Sequence, residues 1–123
     1  VADYVDVICP MFYPSHFPGA FLGELDYVER AERIYSDGSN NAAAHVGSRC
    51  TIRPYVQAFL IGGERRFETP EYTAYLARQL DGVLASHASG FTLWNASNIY
   101  YMVTESLKRY TSAYEPQDIS LTD

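Results

Sequence analysis

Tyr4-Val5-Asp6-Val7-Ile8-Cys9-Pro10-Met11-Phe12-Tyr13 is a largely apolar, β-branched and aromatic run that stops at Pro14. A strand with one face in water alternates polar and apolar residues, whereas a run of this kind suits a strand buried on both faces in a parallel sheet. Two later stretches have the same character, Cys50 to Ile61 before Gly62-Gly63, and Gly90-Phe91-Thr92-Leu93-Trp94-Asn95. Pro54 counts against a central position for the second of the three, because proline removes a ladder hydrogen bond.

The intervening segments read as helices. Leu25, Val28, Glu29, Glu32 and Tyr35 follow a loose helical spacing, and Asn41 to Val46 forms a second helical stretch before Gly47. Gly38-Ser39-Asn40-Asn41 reads as a turn between them or as a helix start. The clearest helix has Thr69 as its cap, Pro70 at its first position, and Tyr72, Leu76, Leu80, Val83 and Leu84 repeating at three- and four-residue intervals towards a stop at Gly90. Ile99, Val103 and Leu107 predict a last helix to about Tyr110, and residues 111–123 form a polar, acidic tail. Strand and helix thus alternate three times across residues 1–110, which predicts an α/β fold of about three parallel βα units with right-handed crossovers.

Composition narrows the function classes. The 123 residues carry a net charge of −6 with nine scattered Lys and Arg, so little basic surface is offered to phosphates and nucleic acid is not expected as a partner. No run approaches the ~20 apolar residues of a membrane span, and Val1 is not followed by a basic segment and an apolar signal core. A signal encoded upstream of Val1 would be lost from this chain, so localisation is left open. Cys9 and Cys50 cannot make a disulfide framework and are expected as buried free thiols. Aromatic residues reach 15%, with eleven Tyr, six Phe and one Trp. Rings of this kind stack on the C–H faces of sugars and equally well fill a core.

Ligands of parallel α/β folds bind where the strands end and the following loops gather. That rule selects Tyr13-Pro14-Ser15-His16, Gln57 with Phe59, and Trp94-Asn95 with Ser97-Asn98. Each group joins an aromatic ring or amide to short polar neighbours, as a carbohydrate site requires. Every member also has a structural alternative. Tyr13 could pack the sheet, His16 could brace its loop, and Gln57 could bond a neighbouring backbone group. His45 and His87 fall on predicted helices away from His16, so no metal cluster is expected. Two acids are ordinarily needed to hydrolyse a glycosidic bond. Asp3 and Asp6 lie at a strand start, Glu64-Arg65-Arg66 reads as a solvated loop, and Glu71 suits the first turn of a helix.

Three ordered stretches together carry a family resemblance. Asp3 to Phe17, Ile52-Arg53-Pro54-Tyr55-Val56-Gln57-Ala58-Phe59, and Leu93-Trp94-Asn95-Ala96-Ser97-Asn98 closely resemble the late-strand motifs of the bacterial putative glycoside hydrolase domain family, formerly a domain of unknown function and distantly similar to amylase-like barrels. The resemblance implies that these are strands six, seven and eight of a (β/α)8 TIM barrel, of which this chain would be the C-terminal part, since a complete barrel needs about 250 residues. It also implies that Tyr13, His16, Gln57, Trp94 and Asn95 line a substrate site for an oligo- or polysaccharide, without metal or organic cofactor. The family's presumed catalytic aspartate motif on the fourth strand has no counterpart here, which places that residue upstream of Val1. Ala96 and Tyr55 stand where the family usually has proline and commonly tryptophan. A non-catalytic carbohydrate-binding barrel and a structural or interaction domain stay open beside the hydrolase. Unpaired sheet edges further predict marginal stability or self-association of the isolated chain.

Overall fold

A computed structural model describes residues 1–100 and 103–113. Its elements in chain order are β1 (Val7–Ile8), α1 (Tyr27–Val46), β2 (Thr51–Ile52), β3 (Tyr55–Gln57), α2 (Thr69–Leu84), β4 (Thr92–Trp94) and α3 (Val103–Ala113), with short 3-10 turns at Pro14–His16, Gly47–Arg49 and Gly62–Arg66. The chain is α/β, and every strand pairing is parallel: Val7 with Thr51, Met11 with Tyr55, and Gln57 with Trp94.

β2 and β3 are two halves of one strand interrupted at Arg53-Pro54. On one side, Thr51 N donates to Asp6 O, Arg53 N to Ile8 O and Tyr55 N to Pro10 O, each at 2.9 Å. On the other, Thr92 N donates to Pro54 O at 3.0 Å and Ala58 N to Trp94 O at 3.0 Å. Odd-numbered donors therefore face β1 and even-numbered ones face β4. The donor that Pro54 lacks is an even-numbered one, aimed ahead of the point where β4 begins at Thr92. A proline is tolerated in this central strand because no ladder bond is due at that position.

Alternate residues of the strands face the helices. Val56 and Ala58 are fully buried against Tyr35 of α1 and Tyr72, Leu76, Leu80 and Val83 of α2, with Val103 of α3 closing the same core. α3 is held further by Ser106 Oγ, which donates to Thr73 O at 2.9 Å. The opposite sheet face, bearing Val7, Cys9, Met11, Tyr55 and Trp94, has nothing packed over it among the described residues, and Met11 is 67% exposed. Cys9 is accordingly exposed and not a buried thiol, because its side chain points to that uncovered face.

Four local expectations are corrected. α1 runs unbroken through Gly38-Ser39-Asn40-Asn41. These small residues admit close neighbours: a Cβ on Gly38 would lie 3.2 Å from the Phe12 ring, and Asn40 Oδ1 accepts from His87 N at 2.9 Å. The start of α1 is fixed by Asp26, whose carboxylate accepts from Val28 N and Glu29 N. Thr69 is the first residue of α2 and not its cap, since Glu68 occupies that place without a side-chain bond. His87 lies in the turn after α2 and not on a helix. Ile99 precedes α3, which begins at Val103 and takes in Thr111–Ala113; the rest of the predicted tail, residues 114–123, lies outside the described residues.

The helix pair depends on Gly82. A Cβ there would sit 2.4 Å from Glu32 O and 3.0 Å from Tyr35 Cβ, so α1 and α2 approach backbone to backbone, alongside the Arg78–Glu32 ion pair at 2.5 Å. Gly→Ala in an exposed helix ordinarily stabilises by ~1 kcal/mol. Here the sign reverses: Gly82→Ala is expected to destabilise by about 1–3 kcal/mol through overpacking, measured as a lower midpoint in chemical denaturation with an unchanged slope.

Candidate functional site

The loops at the C-terminal ends of the strands converge on two adjoining features, a buried polar network and an open cavity. The network begins where pairing with the first strand ends. Beyond Met11 and Tyr55 the next inward-facing donor, Gln57 N, meets no strand; it is taken by Gln79 Oε1 at 2.9 Å and Tyr35 Oη at 3.2 Å. Gln79 Nε2 returns a bond to Gln57 O at 3.2 Å, and Tyr35 Oη donates to Tyr55 O at 2.9 Å. Two helix side chains thus replace the missing strand neighbour, as buried backbone groups require. Burial holds the Tyr35 hydroxyl well above the usual phenol pKa.

The Gln57 side chain is 1% exposed. Its Oε1 accepts from Ser15 N at 3.1 Å, while Nε2 faces Ser15 Oγ, Phe59 O at 2.9 Å and Glu64 Oε1 at 3.2 Å. Glu64 is the hub. Its Oε1 also accepts from Ser15 Oγ at 2.5 Å and Ile61 N at 3.1 Å, and its Oε2 accepts from Tyr75 Oη at 2.7 Å. Glu64 is therefore half-buried and saturated, while Arg65 and Arg66 alone behave as the solvated loop expected from the sequence. Burial, then the hydrogen bond to Glu64, raises the Tyr75 pKa well above its ordinary value. Arg30 of α1 ties down the loop that carries Ser15: its guanidinium donates to Pro14 O, Phe17 O, Pro18 O and Phe21 O.

Of the residues singled out from sequence, Tyr13 is buried, with its ring edge-on to His16 at 5.3 Å and Phe59 at 5.1 Å. Burial, and secondarily Tyr55, raises its pKa. His16 is exposed beside it. Trp94 is 46% exposed, packs edge-on to Tyr55 at 6.2 Å, and lines a cavity of about 460 Å³ together with Phe59, Ile61, Arg65, Asn95 and Ser97. The Asn95 amide is committed to its own loop and the end of the neighbouring strand, donating to Ile99 O at 3.1 Å and Ala58 O at 2.7 Å and accepting from Ser97 N at 2.8 Å. The cavity therefore joins Phe59, Trp94 and Asn95, while Tyr13 and Gln57 lie behind its wall. Tyr75 and Arg30 escaped sequence reasoning, and Glu64 was read there as part of a solvated loop. An acid in a Gly-Gly-Glu-Arg-Arg stretch has the composition of a surface loop, and only its tertiary partners mark it out.

Among the described residues no three His, Cys, Asp or Glu side chains gather as a metal ion would require. The cavity can accommodate an apolar ring face against Phe59 and Trp94, with Arg65 and Ser97 offering polar contacts. In comparisons with known proteins, the family described as "putative glycosyl hydrolase domain" matches residues 1–100. No curated protein and no solved structure matches.

Removing the hub leaves four donors without their acceptor. Glu64→Ala is expected to lower stability on the order of 1–3 kcal/mol. Adding Tyr75→Phe to it is expected to cost less than the sum of the single changes, which a double-mutant cycle in urea would read. Alkali tests the same groups. Tyr75 has a folded pKa above its unfolded value near 10, so unfolding releases its proton and stability falls as pH rises beyond that unfolded value. Denaturation midpoints are expected to be level with respect to this group below pH ~10 and to decline above it, the decline being smaller in Tyr75→Phe.

Proposed function

The chain belongs to the putative glycosyl hydrolase domain family, and on that premise we propose that it forms the saccharide-binding wall of a glycoside hydrolase acting on an oligo- or polysaccharide. In this reading β1, β2–β3 and β4 are the closing strands of a (β/α)8 barrel. Support comes from their parallel order, the helices on one face and the uncovered opposite face, which is where further strands would complete an interior.

The observation that carries the reading is the pairing of Phe59 and Trp94 along one cavity at the C-terminal strand ends, the face on which barrel enzymes bind substrate. Aromatic faces there stack on the pyranose ring. Ser97 and the Arg65 guanidinium meet hydroxyls at the rim. Asn95 acts by holding the loop that carries Trp94, and Gln57 by fixing the Ser15 loop behind Phe59. Tyr13, buried, backs the Phe59 ring from the first loop, with His16 exposed beside it. The acid pair that breaks the bond is contributed in this proposal by strands other than these three. Glu64 has both carboxylate oxygens occupied, which suits an anchor better than a proton donor.

A saccharide-binding domain without hydrolysis is the second reading, favoured by the fact that among the described residues no acidic side chain lines the cavity. Turnover separates the two. Trp94→Ala is expected to weaken oligosaccharide binding by about 1–3 kcal/mol, on the scale known for aromatic stacking against bases, with the fold retained by circular dichroism. Calorimetric titration over an oligosaccharide panel would measure this. Unchanged affinity in Trp94→Ala would remove the proposed wall, and bond cleavage lost on Glu64→Gln in a variant that still binds would transfer the catalytic role to Glu64.

A further inference from the structure

The charge around the cavity runs against that of the chain. The net charge is −6, yet the charged side chain lining this cavity among the described residues is Arg65. Most other described cations are engaged. Arg33 pairs with Asp37, Arg49 with Asp3, Arg78 with Glu32 and Lys108 with Glu105. Arg30 is spent on carbonyl oxygens, and Arg53 Nε reaches Thr92 Oγ1 at 3.3 Å. Arg65 has no carboxylate partner among the described residues, although Glu64 is its chain neighbour, because both Glu64 oxygens are taken by Ser15, Gln57, Ile61 and Tyr75.

That occupancy also sets where Arg65 stands. The Gly62–Arg66 turn is fastened to the rest of the fold through Glu64, and Arg65 follows it on the side that borders Trp94 and Ile61. A fixed turn thus presents an uncompensated guanidinium beside an aromatic platform. The volume of about 460 Å³ lies within the ordinary range of ligand pockets. The Asn95 amide, the other strongly polar group of the lining, is consumed by its own loop and by Ala58 O and cannot substitute for the cation.

Resting on the saccharide reading above, we propose that the cavity selects an anionic saccharide, one bearing a carboxylate of the uronic acid kind, with Arg65 as its counter-ion and Trp94 as the ring platform. A planar carboxylate matches the guanidinium fork in two parallel hydrogen bonds, which a neutral hydroxymethyl group cannot do. Arg65 is exposed, so the preference is modest and falls with added salt.

The test uses the full chain and matched ligands: oligouronides of galacturonate, glucuronate and mannuronate, their methyl esters, and sulfated neutral oligosaccharides of equal length. Binding is read by calorimetry and by the fluorescence of Trp94, the one tryptophan in the sequence. At least one oligouronide is expected to bind about two- to fivefold tighter than its ester at low salt. That ratio is expected to approach one in Arg65→Gln and to persist in Arg65→Lys. Equal affinity of acid and ester, or a preference that survives Arg65→Gln, overturns the proposal while leaving the saccharide reading intact. Tighter binding of the sulfated ligands than of any oligouronide overturns the carboxylate assignment. Absence of binding by every saccharide, neutral or charged, overturns both readings.

Discussion

The backbone amide of Gln57 has no strand to bond with, and most of what is distinctive in this fold follows from how that deficit is met. A buried N–H without a partner costs about 1–3 kcal/mol, comparable with a sizeable fraction of a domain's stability. The side-chain amide of Gln79 accepts from this N–H and donates to the same residue's carbonyl, and the Tyr35 hydroxyl bridges the neighbouring groups. Because α1 and α2 supply these bonds, the first strand is free to leave the sheet after Met11 and turn into the Pro14–His16 segment.

That departure makes room for the network centred on Glu64. Ser15 arrives over the end of the second strand, Gln57 turns its amide to meet it, and Tyr75 reaches across from α2 to the same carboxylate. The helices must lie close to the sheet and to each other for Tyr35, Tyr75 and Gln79 to make these bonds. Gly82 permits the approach of α1 and α2, and Gly38 permits that of Phe12. Packing, backbone satisfaction and loop position are therefore one arrangement, and the cavity wall is positioned by it. Phe59 is fixed through its carbonyl bond to Gln57, and Trp94 through the loop braced by Asn95.

Sequence signals were reliable where a residue's role is local and failed where it depends on distant partners. Apolar runs located all three strand segments, and Thr69-Pro70 located the start of α2 to within a residue, although the helix ends at Leu84, short of the Gly90 stop. Pro54 argued against a central strand, yet its missing donor faces a stretch where no ladder bond is due. The Gly38-Ser39-Asn40-Asn41 cluster has turn chemistry but stays helical, since small side chains are what Phe12 and the His87 turn require. Cys9 looked like a core thiol because nothing in a strand's own sequence says which face will be covered.

The sequence alone determined the α/β alternation, the approximate places of the strands and the family-like motifs, because periodicity and apolar runs are properties of neighbouring positions. It also singled out Trp94, Asn95, Gln57, Tyr13 and His16 as chemically suited to one end of the sheet. Only the tertiary structure divided that group, leaving Trp94 in the cavity with Phe59 while Gln57 and Tyr13 are buried behind it. It likewise turned Glu64 from an unremarkable loop acid into an anchor and left Arg65 unpaired beside it. The physical reason is that hydrogen-bond capacity is finite: which polar groups remain free for a ligand depends on which have been used by partners tens of residues away, and that count closes only when the chain is folded.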